Sequence, residues 1–339
     1  MSLRQRIRSL FRSNKRKRQD SVDNSGDDGG NAQEKGNEQE EAKKESNVEI
    51  LPEPLKESEL PTFFHVGLLA KMCLVHGYTN GPWKLQCTSK TEDNFFMSTF
   101  GEGYPTWNSV YGGLEIYKEQ GNFHGSLAWL TDGFFLSDVG ANGKNLGGMW
   151  SSVLKSMITT SDGFKYQCKV KCGFERSPVK MEFYIPIYKE PLFMGYILVE
   201  PAKSYVLGYR TVFNVEDKKF DMHSLCVGCI KDSIEVGMKL ENFETVRGSI
   251  FQRIGSKWAL ALKANLYGNV NAKLITIGGQ YEWEPGTLLK AKLRGDTRLG
   301  FIFQRKLRED IEFLFHFGFQ GKDPINGKHK VGMSWYFNV

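Results

Sequence analysis

The stretch TLLKAKLRGDTRLGFIFQRKLREDIEFLFHFGF, residues 287–319, shows the period that decides the fold. Its first eight residues carry apolar side chains at alternate positions, namely Leu289, Ala291 and Leu293. Basic side chains fill the positions between them, namely Lys290, Lys292 and Arg294. The alternation continues through 299–305 and 311–319. A period of two residues indicates β-strands with two chemically different faces.

The same period recurs at 257–264 and 331–337, and turn signals separate the alternating stretches. The signals are Glu-Pro-Gly at 284–286, Arg-Gly-Asp at 294–296 and Asp-Pro-Ile-Asn-Gly at 323–327. Such clusters favour hairpin turns. Strands of about 9–11 residues with short loops leave room for roughly 18–21 strand-plus-turn units after residue 60.

Two architectures fit many regular hairpins: a soluble barrel or sandwich, and a membrane barrel whose apolar face meets lipid. Repeated Lys and Arg on the second face favour the membrane barrel, because unpaired ammonium groups in a protein core are very costly. Aromatic residues near strand ends are typical of an interfacial girdle, and they are Tyr281, Trp283, Trp335 and Tyr336. The sequence has no run of 18 apolar residues, which excludes a spanning α-helix. We therefore predict an all-β fold, a transmembrane antiparallel β-barrel.

Residues 1–60 form a predicted tail with an uneven charge. Residues 1–19 hold eight Lys or Arg and no acid, whereas 20–60 hold thirteen acids and four Lys. The acidic part has almost no apolar side chains to bury, which predicts disorder. The basic part fits a membrane-surface helix, a mitochondrial presequence, a nuclear import patch or a solvated arm.

We predict one helix, at residues 63–76, where the sequence reads FFHVGLLAKMCLVH. Gly67 weakens it, and Gly77 and Gly81 after it give a flexible hinge. A short helix before a long barrel can plug or constrict the lumen. We thus expect a tail at 1–60, a pore helix and hinge at 61–81, and a transmembrane barrel at 82–339.

Catalytic and metal-binding patterns are missing from the sequence. Cys226 and Cys229 form a C-x-x-C, but Cys168 and Cys172 lie too far away in sequence for a zinc-knuckle pair. We predict no enzyme, no metal and no cofactor. The net charge is +6, and a basic body suits anionic partners such as nucleic acid, acidic lipid or phosphorylated metabolites.

Residues 61–339 resemble the mitochondrial porins, the voltage-dependent anion channels. The stretches that carry the resemblance are HGYTNGPWKLQCTSKT (76–91), GSIFQRIGSKWALALKANL (248–266), IGGQYEWEPGTLLKAKLRGDTRLGFIFQRKLRE (277–309) and GKHKVGMSWYFN (327–338). The resemblance implies a barrel of about nineteen strands in the mitochondrial outer membrane, with an N-terminal helix inside the pore. It also implies voltage-dependent, anion-selective diffusion of inorganic anions and of phosphorylated metabolites such as ATP and ADP.

The resemblance also carries site residues onto this chain. The implied pore-lining cations are Lys71, Lys290, Lys292 and Arg294. The implied nucleotide contacts are Arg298, Leu299, Gly300, His316, Phe317, Gly318, Phe319 and Gln320. The last strand resembles the signal that the outer-membrane assembly machinery reads, with key positions Lys330, Gly332, Trp335 and Phe337.

The helix departs from the family pattern, since Leu68, Met72 and His76 replace charges and only Lys71 is plainly kept. The alternatives are a non-conducting barrel that anchors or docks partners, a mitochondrial protein-import pore, and a soluble nucleic-acid binder. Further expected partners are outer-membrane lipids, the assembly machinery, a second copy in a homo-oligomer, and an unidentified partner of the tail.

Overall fold

The computed structural model describes residues 59–339 apart from 79–80, 105–108, 146, 162, 232, 269–274, 326 and 328. The predicted tail therefore lies outside the described residues except for Glu59 and Leu60. The described residues form one closed β-barrel with a short helix, α1, before the first strand. The prediction of an all-β barrel of about nineteen strands is confirmed.

The barrel has nineteen strands in the described part of the chain, each of 8–12 residues. They are β1 Trp83–Lys90, β2 Phe95–Tyr104, β3 Ser109–Gln120, β4 Phe123–Leu130, β5 Phe134–Asn145, β6 Gly148–Thr159, β7 Lys165–Arg176, β8 Val179–Tyr188, β9 Leu192–Ala202, β10 Tyr205–Asn214, β11 Lys219–Ile230, β12 Ile234–Glu241, β13 Thr245–Ile254, β14 Trp258–Tyr267, β15 Ile275–Glu284, β16 Thr287–Arg294, β17 Arg298–Lys306, β18 Ile311–Gln320 and β19 Lys330–Asn338.

Each strand pairs antiparallel with the next, and the barrel closes between β1 and β19. That closing pair is parallel, with a register from Trp83 opposite Met333 to Thr88 opposite Asn338. Successive hairpins reverse direction at every turn, so an odd number of strands leaves the first and last pointing the same way. The predicted antiparallel barrel therefore contains one parallel seam.

The register keeps two faces separate around the barrel. Lys290 pairs with Ile302 and Ile302 with His316, and this row is buried on the inner side. Leu293 pairs with Leu299 in the outward row beside it, and these side chains are 51% and 49% exposed. The exposed apolar row is the face that a membrane barrel presents to lipid. The described residues include no helix that is both long and apolar enough to cross a membrane.

The predicted turns lie at the strand ends. Pro285 and Gly286 connect β15 to β16, and Gly286 has φ +83°, a conformation that glycine adopts without a steric penalty. Trp258 and Tyr281 pair across β14 and β15 with ring centroids 4.4 Å apart. They lie next to the hairpin ends, where an interfacial girdle is expected.

Helix α1 spans Leu68–Leu74, which is shorter than the predicted 63–76. Residues 63–67 form turns, and Gly67 has φ +81°. That left-handed conformation interrupts a right-handed helix, so α1 begins only after Gly67. The helix packs against the inner faces of β13, β14, β15 and β16.

Candidate functional site: the helix-lined wall of the lumen

Residues 59–60 attach the chain to the inner wall at β7 and β8. The Leu60 N–H donates to Glu175 Oε1 at 2.7 Å, and Lys180 Nζ donates to the Leu60 carbonyl at 3.0 Å. Lys180 also forms ion pairs with Glu59 at 3.1 Å and with Glu175 at 2.8 Å. Both main-chain groups of Leu60 therefore meet charged side chains of the wall.

Phe63 and Val66 continue the attachment with apolar packing. They form a buried cluster with wall residues of β9, β10 and β11, namely Tyr196, Leu198, Val206 and Cys226. Lys239 on β12 donates to the Phe63 carbonyl at 3.3 Å, and its ammonium lies 4.9 Å from the centre of the Phe63 ring. The segment is thus held by its backbone as well as by its side chains.

Glu235 of β12 occupies the N-terminus of α1. Its Oε1 accepts from the N–H groups of Gly67 at 2.5 Å and Leu68 at 2.9 Å, and its Oε2 accepts from Leu69 at 2.7 Å. The first N–H groups of a helix have no partner within the helix, and the N-terminal end of the helix dipole favours an anion. One carboxylate here satisfies three such donors.

Lys290 and Lys292 of β16 occupy the other end of α1. Lys290 Nζ donates to the Met72 carbonyl at 3.0 Å, and Lys292 Nζ donates to the Leu74 carbonyl at 2.9 Å. The Lys292 ammonium also lies 3.9 Å from the centre of the Tyr78 ring, a close cation–π contact. Cations are favourable at a helix C-terminus, so the wall complements both ends of the helix dipole.

Small side chains let the helix approach the wall between these two ends. Ala70, Cys73 and Leu74 pack in a buried cluster with Phe251 of β13 and with two alanines of β14, Ala259 and Ala261. A Cβ on Gly278 of β15 would lie 2.6 Å from the Ala291 carbonyl oxygen and 2.6 Å from Leu74 Cδ2, so any larger residue would require the neighbouring backbone to shift.

The four predicted pore-lining cations lie in two environments. Lys71 is 8% exposed within the helix, and Lys290 and Lys292 bind the helix carbonyls. Arg294 Nε lies 3.3 Å from Asp296 Oδ2, beside the β16–β17 turn. Three of the four therefore lie close together. Lys290 and Lys292 are at the C-terminal end of α1, and Arg294 is at the neighbouring mouth of the barrel. Their effect on permeation stays a prediction.

The eight predicted nucleotide contacts lie on β17 and β18 and divide between the two faces. The register pairs Arg298 with Gln320 and Gly300 with Gly318, next to the inward row of His316. The other three alternate with these and face outward, and they are Leu299, Phe317 and Phe319. Five of the eight positions therefore share the inner face, and their binding of nucleotide stays a prediction.

The two predicted hinge glycines have different surroundings. Gly77 has φ +90°, and a Cβ there would lie 2.8 Å from Ile302 Cδ1. The Gly81 N–H donates to Glu102 Oε1 at 3.2 Å, and a Cβ on Gly81 would collide with the Gly103 carbonyl. Both positions demand glycine, while residues 79–80 between them lie outside the described part.

The predicted assembly signal forms the seam strand β19. A Cβ on Gly332 would collide with the His316 ring and the Gly81 carbonyl, which explains the glycine structurally. Trp335 and Phe337 face outward with Phe313, and the Trp335 and Phe313 rings lie 4.7 Å apart. Recognition of this strand by an assembly machinery stays a prediction.

A second stretch of the inner wall, on β5–β8, has a different arrangement of charge. Its lysines form ion pairs with carboxylates of neighbouring strands or loops, namely Lys155 with Asp138 at 2.7 Å, Lys171 with Glu182 at 3.0 Å and Lys169 with Glu190 at 3.2 Å. Among the described residues, no group of three or more His, Cys, Asp or Glu side chains could hold a metal ion.

Sequence reasoning missed four residues that fix the segment: Glu175, Lys180, Glu235 and Lys239. Each occupies an inward position of its strand, and that position is the only signal the sequence offers. The alternation predicts that such a charge faces inward, but it does not predict that the charge meets a segment more than a hundred residues earlier in the chain.

Comparisons of the sequence with known proteins find matches along most of the chain. The sequence model of the family described as eukaryotic porin matches residues 59–332. The voltage-dependent anion-selective channel of Drosophila melanogaster is 23% identical over 279 residues, which cover 80% of this chain and 97% of that protein. The human non-selective voltage-gated ion channel VDAC1 is 23% identical over 289 residues, which cover 82% and 99%.

Solved structures of mutant Rh. blastica porins also align with this chain. One covers 71% of this chain and 99% of its own length, with 9% sequence identity and a TM-score of 0.46. The family assignment rests instead on the sequence match across most of the chain, together with the closed nineteen-strand barrel. The chain belongs to the eukaryotic porin family of pore-forming channels.

Proposed function

We propose that the protein is a voltage-dependent pore of the mitochondrial outer membrane that lets inorganic anions and small metabolites such as ATP and ADP diffuse passively. The observation that carries this proposal is the inner face of β16, where Lys290, Lys292 and Arg294 follow one another without an acidic residue. Cations along a pore lower the electrostatic barrier for anions and raise it for cations.

The position of the helix supports a conducting state. Barrels of 16–18 strands leave an aqueous channel, and the present barrel has nineteen strands in the part of the chain that the structure describes. The segment from Leu60 to Leu74 contacts the wall from β7 to β16, so it lines the lumen along its side. Solutes would pass along the opposite side of the lumen.

The mouth near the β16–β17 turn supports recognition of phosphorylated solutes. Arg294 Nε and Arg298 Nε lie 3.3 and 3.5 Å from Asp296 Oδ2, so this turn brings two guanidinium groups together. The inward positions next to Arg298 are Gly300, Gly318 and Gln320, and the Tyr78 ring covers Gly300. We propose that this mouth makes transient contacts with nucleotide phosphates, for which arginine is well suited.

Residence in the mitochondrial outer membrane is part of the proposal, with β19 as the assembly signal. The proposal also covers the organisation of the chain. Residues 1–60 are a tail, 61–81 are the pore helix and hinge, and 82–339 are the barrel. Import of radiolabelled protein into isolated mitochondria tests the localisation. We expect carbonate-resistant insertion for the wild type and reduced insertion for Phe337→Ser, which removes an outward apolar side chain of the signal.

Efflux from proteoliposomes tests the transport function directly. Full-length protein is reconstituted into vesicles loaded with ATP together with a cationic solute of similar size. We expect both to leave the vesicles, with ATP leaving faster. A folded, inserted protein that releases neither solute would contradict the pore, and faster release of the cation would contradict the anion preference.

A further inference from the structure

We propose that Tyr209, Phe220 and His223 form a binding site for a phospholipid headgroup on the outer face of the barrel, and that the phosphate diester is the group they recognise. The three residues lie on β10 and β11, whereas α1 packs against the inner faces of β13 to β16. The proposal concerns the lipid-facing surface alone and is independent of whether the pore conducts.

The strand register places Tyr209 and His223 on the outer face. Tyr209 pairs with Leu225 on β11 and with Ile197 on β9, and both partners belong to the exposed apolar row. His223 precedes Leu225 by two residues, so its side chain points to the same side of the sheet. The outer face of a membrane barrel meets lipid, and both rings are therefore within reach of a lipid molecule.

A β-bulge brings Phe220 to the same face as His223. The register between β10 and β11 shifts between Val212 and Phe213, and Asp221 is the extra residue on β11. Without the bulge, Phe220 and His223 would lie on opposite faces, because they are three residues apart. With the bulge, the centroids of their rings are 4.8 Å apart. Bulges re-aim side chains in this way at the rims of barrels and next to functional sites.

The neighbouring hairpin fixes the position of His223 at the edge of the sheet. The His223 N–H donates to Asn242 Oδ1 at 2.9 Å, and the Asn242 N–H donates to the His223 carbonyl at 2.7 Å. Asn242 belongs to the β12–β13 turn and has φ +51°. The turns of a membrane barrel lie at the membrane–water interface, so His223 lies beside the region of the lipid headgroups.

The contact with Tyr209 determines which group the His223 ring presents. The Tyr209 hydroxyl lies 2.7 Å from His223 Nδ1, and the two rings are stacked with centroids 6.2 Å apart. A distance of 2.7 Å is typical of an O–H donor, whereas N–H donors favour about 2.9–3.0 Å. Tyr209 therefore donates to Nδ1, and the proton of the neutral imidazole is on Nε2. The ring thus presents an N–H donor to its surroundings, and this donor requires an acceptor.

A phospholipid phosphate is the acceptor that fits this position. Its oxygens are anionic, and hydrogen bonds to charged groups are stronger than neutral ones. The end of the β10–β11 hairpin carries two acids and two lysines, namely Glu216, Asp217, Lys218 and Lys219. Charges of both signs suit a zwitterionic headgroup, which combines a phosphate with an ammonium group. The exposed Phe220 ring offers apolar contact for the glycerol and the first methylenes of the acyl chains.

A neighbouring aromatic pair provides the matched control. Tyr166 on β7 and Tyr188 on β8 face outward with ring centroids 5.8 Å apart. Tyr188 ends β8 at the same mouth of the barrel at which β10 ends, because both strands are even-numbered in an antiparallel series. This pair belongs to the same aromatic girdle but contains no imidazole. A general preference of girdle aromatics for lipid would therefore act equally at both places.

The experiment measures photocrosslinking of two lipids to full-length protein in vesicles, located by mass spectrometry of the labelled peptides. One lipid is phosphatidylcholine with a diazirine near the carbonyl end of an acyl chain. The other is diacylglycerol with the same chains and no phosphate. The variants are His223→Phe, which keeps an aromatic ring, and Tyr209→Phe, which removes only the hydroxyl that orients the imidazole. The control variant is Tyr188→Phe.

In the wild type we expect phosphatidylcholine to label the β10–β11 hairpin about tenfold more than diacylglycerol does, as one hydrogen bond to a charged group provides. His223→Phe should lower this ratio to about one. Tyr209→Phe should lower it about threefold and leave the labelling by diacylglycerol unchanged, which a purely structural role would not do. Tyr188→Phe should keep the wild-type ratio.

A wild-type ratio near one, or a wild-type ratio retained in His223→Phe, would overturn the site. If His223→Phe does not insert, Tyr209→Phe decides alone, and an unchanged ratio in that variant would overturn the site as well. Excess inorganic phosphate separates a lipid from a free anion as the occupant. We expect it to leave the labelling unchanged, and loss of labelling in its presence would refute the lipid headgroup.

Discussion

The inner wall of the barrel carries lysines in two regions, and their partners differ. On β5–β8 the ammonium groups meet carboxylates, as in the 3.2 Å pair of Lys169 with Glu190. On β16, Lys290 and Lys292 meet backbone carbonyls of α1 at 3.0 and 2.9 Å. The same side chain, at the same alternate spacing, thus ties strands or loops together in one region and holds a helix in the other.

The difference determines where positive charge remains. A carboxylate cancels the full charge of its lysine, whereas the C-terminus of a helix offers only about half an elementary charge. Lys290 and Lys292 together therefore retain positive charge next to the lumen, while Lys169 retains very little. The helix-lined wall is for this reason the expected source of anion preference.

Charge reversal on the helix-lined wall should have the largest effect. Lys290→Glu with Lys292→Glu removes two positive charges and places two carboxylates at the negative end of the α1 dipole. We expect the zero-current potential in a KCl gradient to change sign, toward cation selectivity. Preserved anion selectivity in this variant would contradict the view that Lys290 and Lys292 are the source of the anion preference.

Exchange of the partners in the ion-paired wall is the appropriate control. The double variant Lys169→Glu with Glu190→Lys keeps both charges and only reverses the pair. It should leave the zero-current potential close to the wild-type value, measured in the same bilayers.

Gly77→Ala should have an intermediate effect, on stability. The substitution combines a φ of +90° with a Cβ 2.8 Å from Ile302 Cδ1. We expect a loss of about 2 kcal/mol in the free energy of unfolding, measured by urea titration in detergent micelles. Gly121→Ala is the matched control, because Gly121 has φ +60° but nothing within 4 Å of a Cβ. It should lose about 1 kcal/mol. Equal losses would show that the close approach of Gly77 to the wall is unimportant.

Glu190→Gln should have the smallest effect and would sharpen the comparison. It deprives Lys169 of its carboxylate without touching the helix, so one inward lysine comes to resemble those of β16. We expect a small shift of the zero-current potential toward greater anion selectivity. A shift in the opposite direction would contradict the view that ion pairing suppresses the contribution of this wall.

The alternation in 287–319 predicted much of the fold, because a strand's two faces follow directly from a period of two. It predicted Lys290 on the inner face and Leu293 on the outer one, and the turn at 284–286. It did not predict the parallel seam between β1 and β19. These two strands are far apart in the sequence, and no local turn connects them.

The site was harder to predict than the barrel. Glu235 contacts Leu68 across 167 residues of sequence, and nothing in IEVGMKLE indicates that contact. The start of the helix also depended on Gly67, whose left-handed φ the sequence permits but does not require. Local patterns thus predicted which way the faces of the strands point. They did not predict contacts between a strand and the distant segment that lies against the inner wall.

The zero-current potential of the wild-type protein tests the central claim most directly. Purified full-length protein is reconstituted into a planar bilayer of uncharged lipid with a KCl gradient across it. The account predicts large conducting steps and a potential displaced toward the chloride equilibrium value, because the helix-lined wall retains positive charge. A potential at zero or displaced toward the potassium value would contradict it.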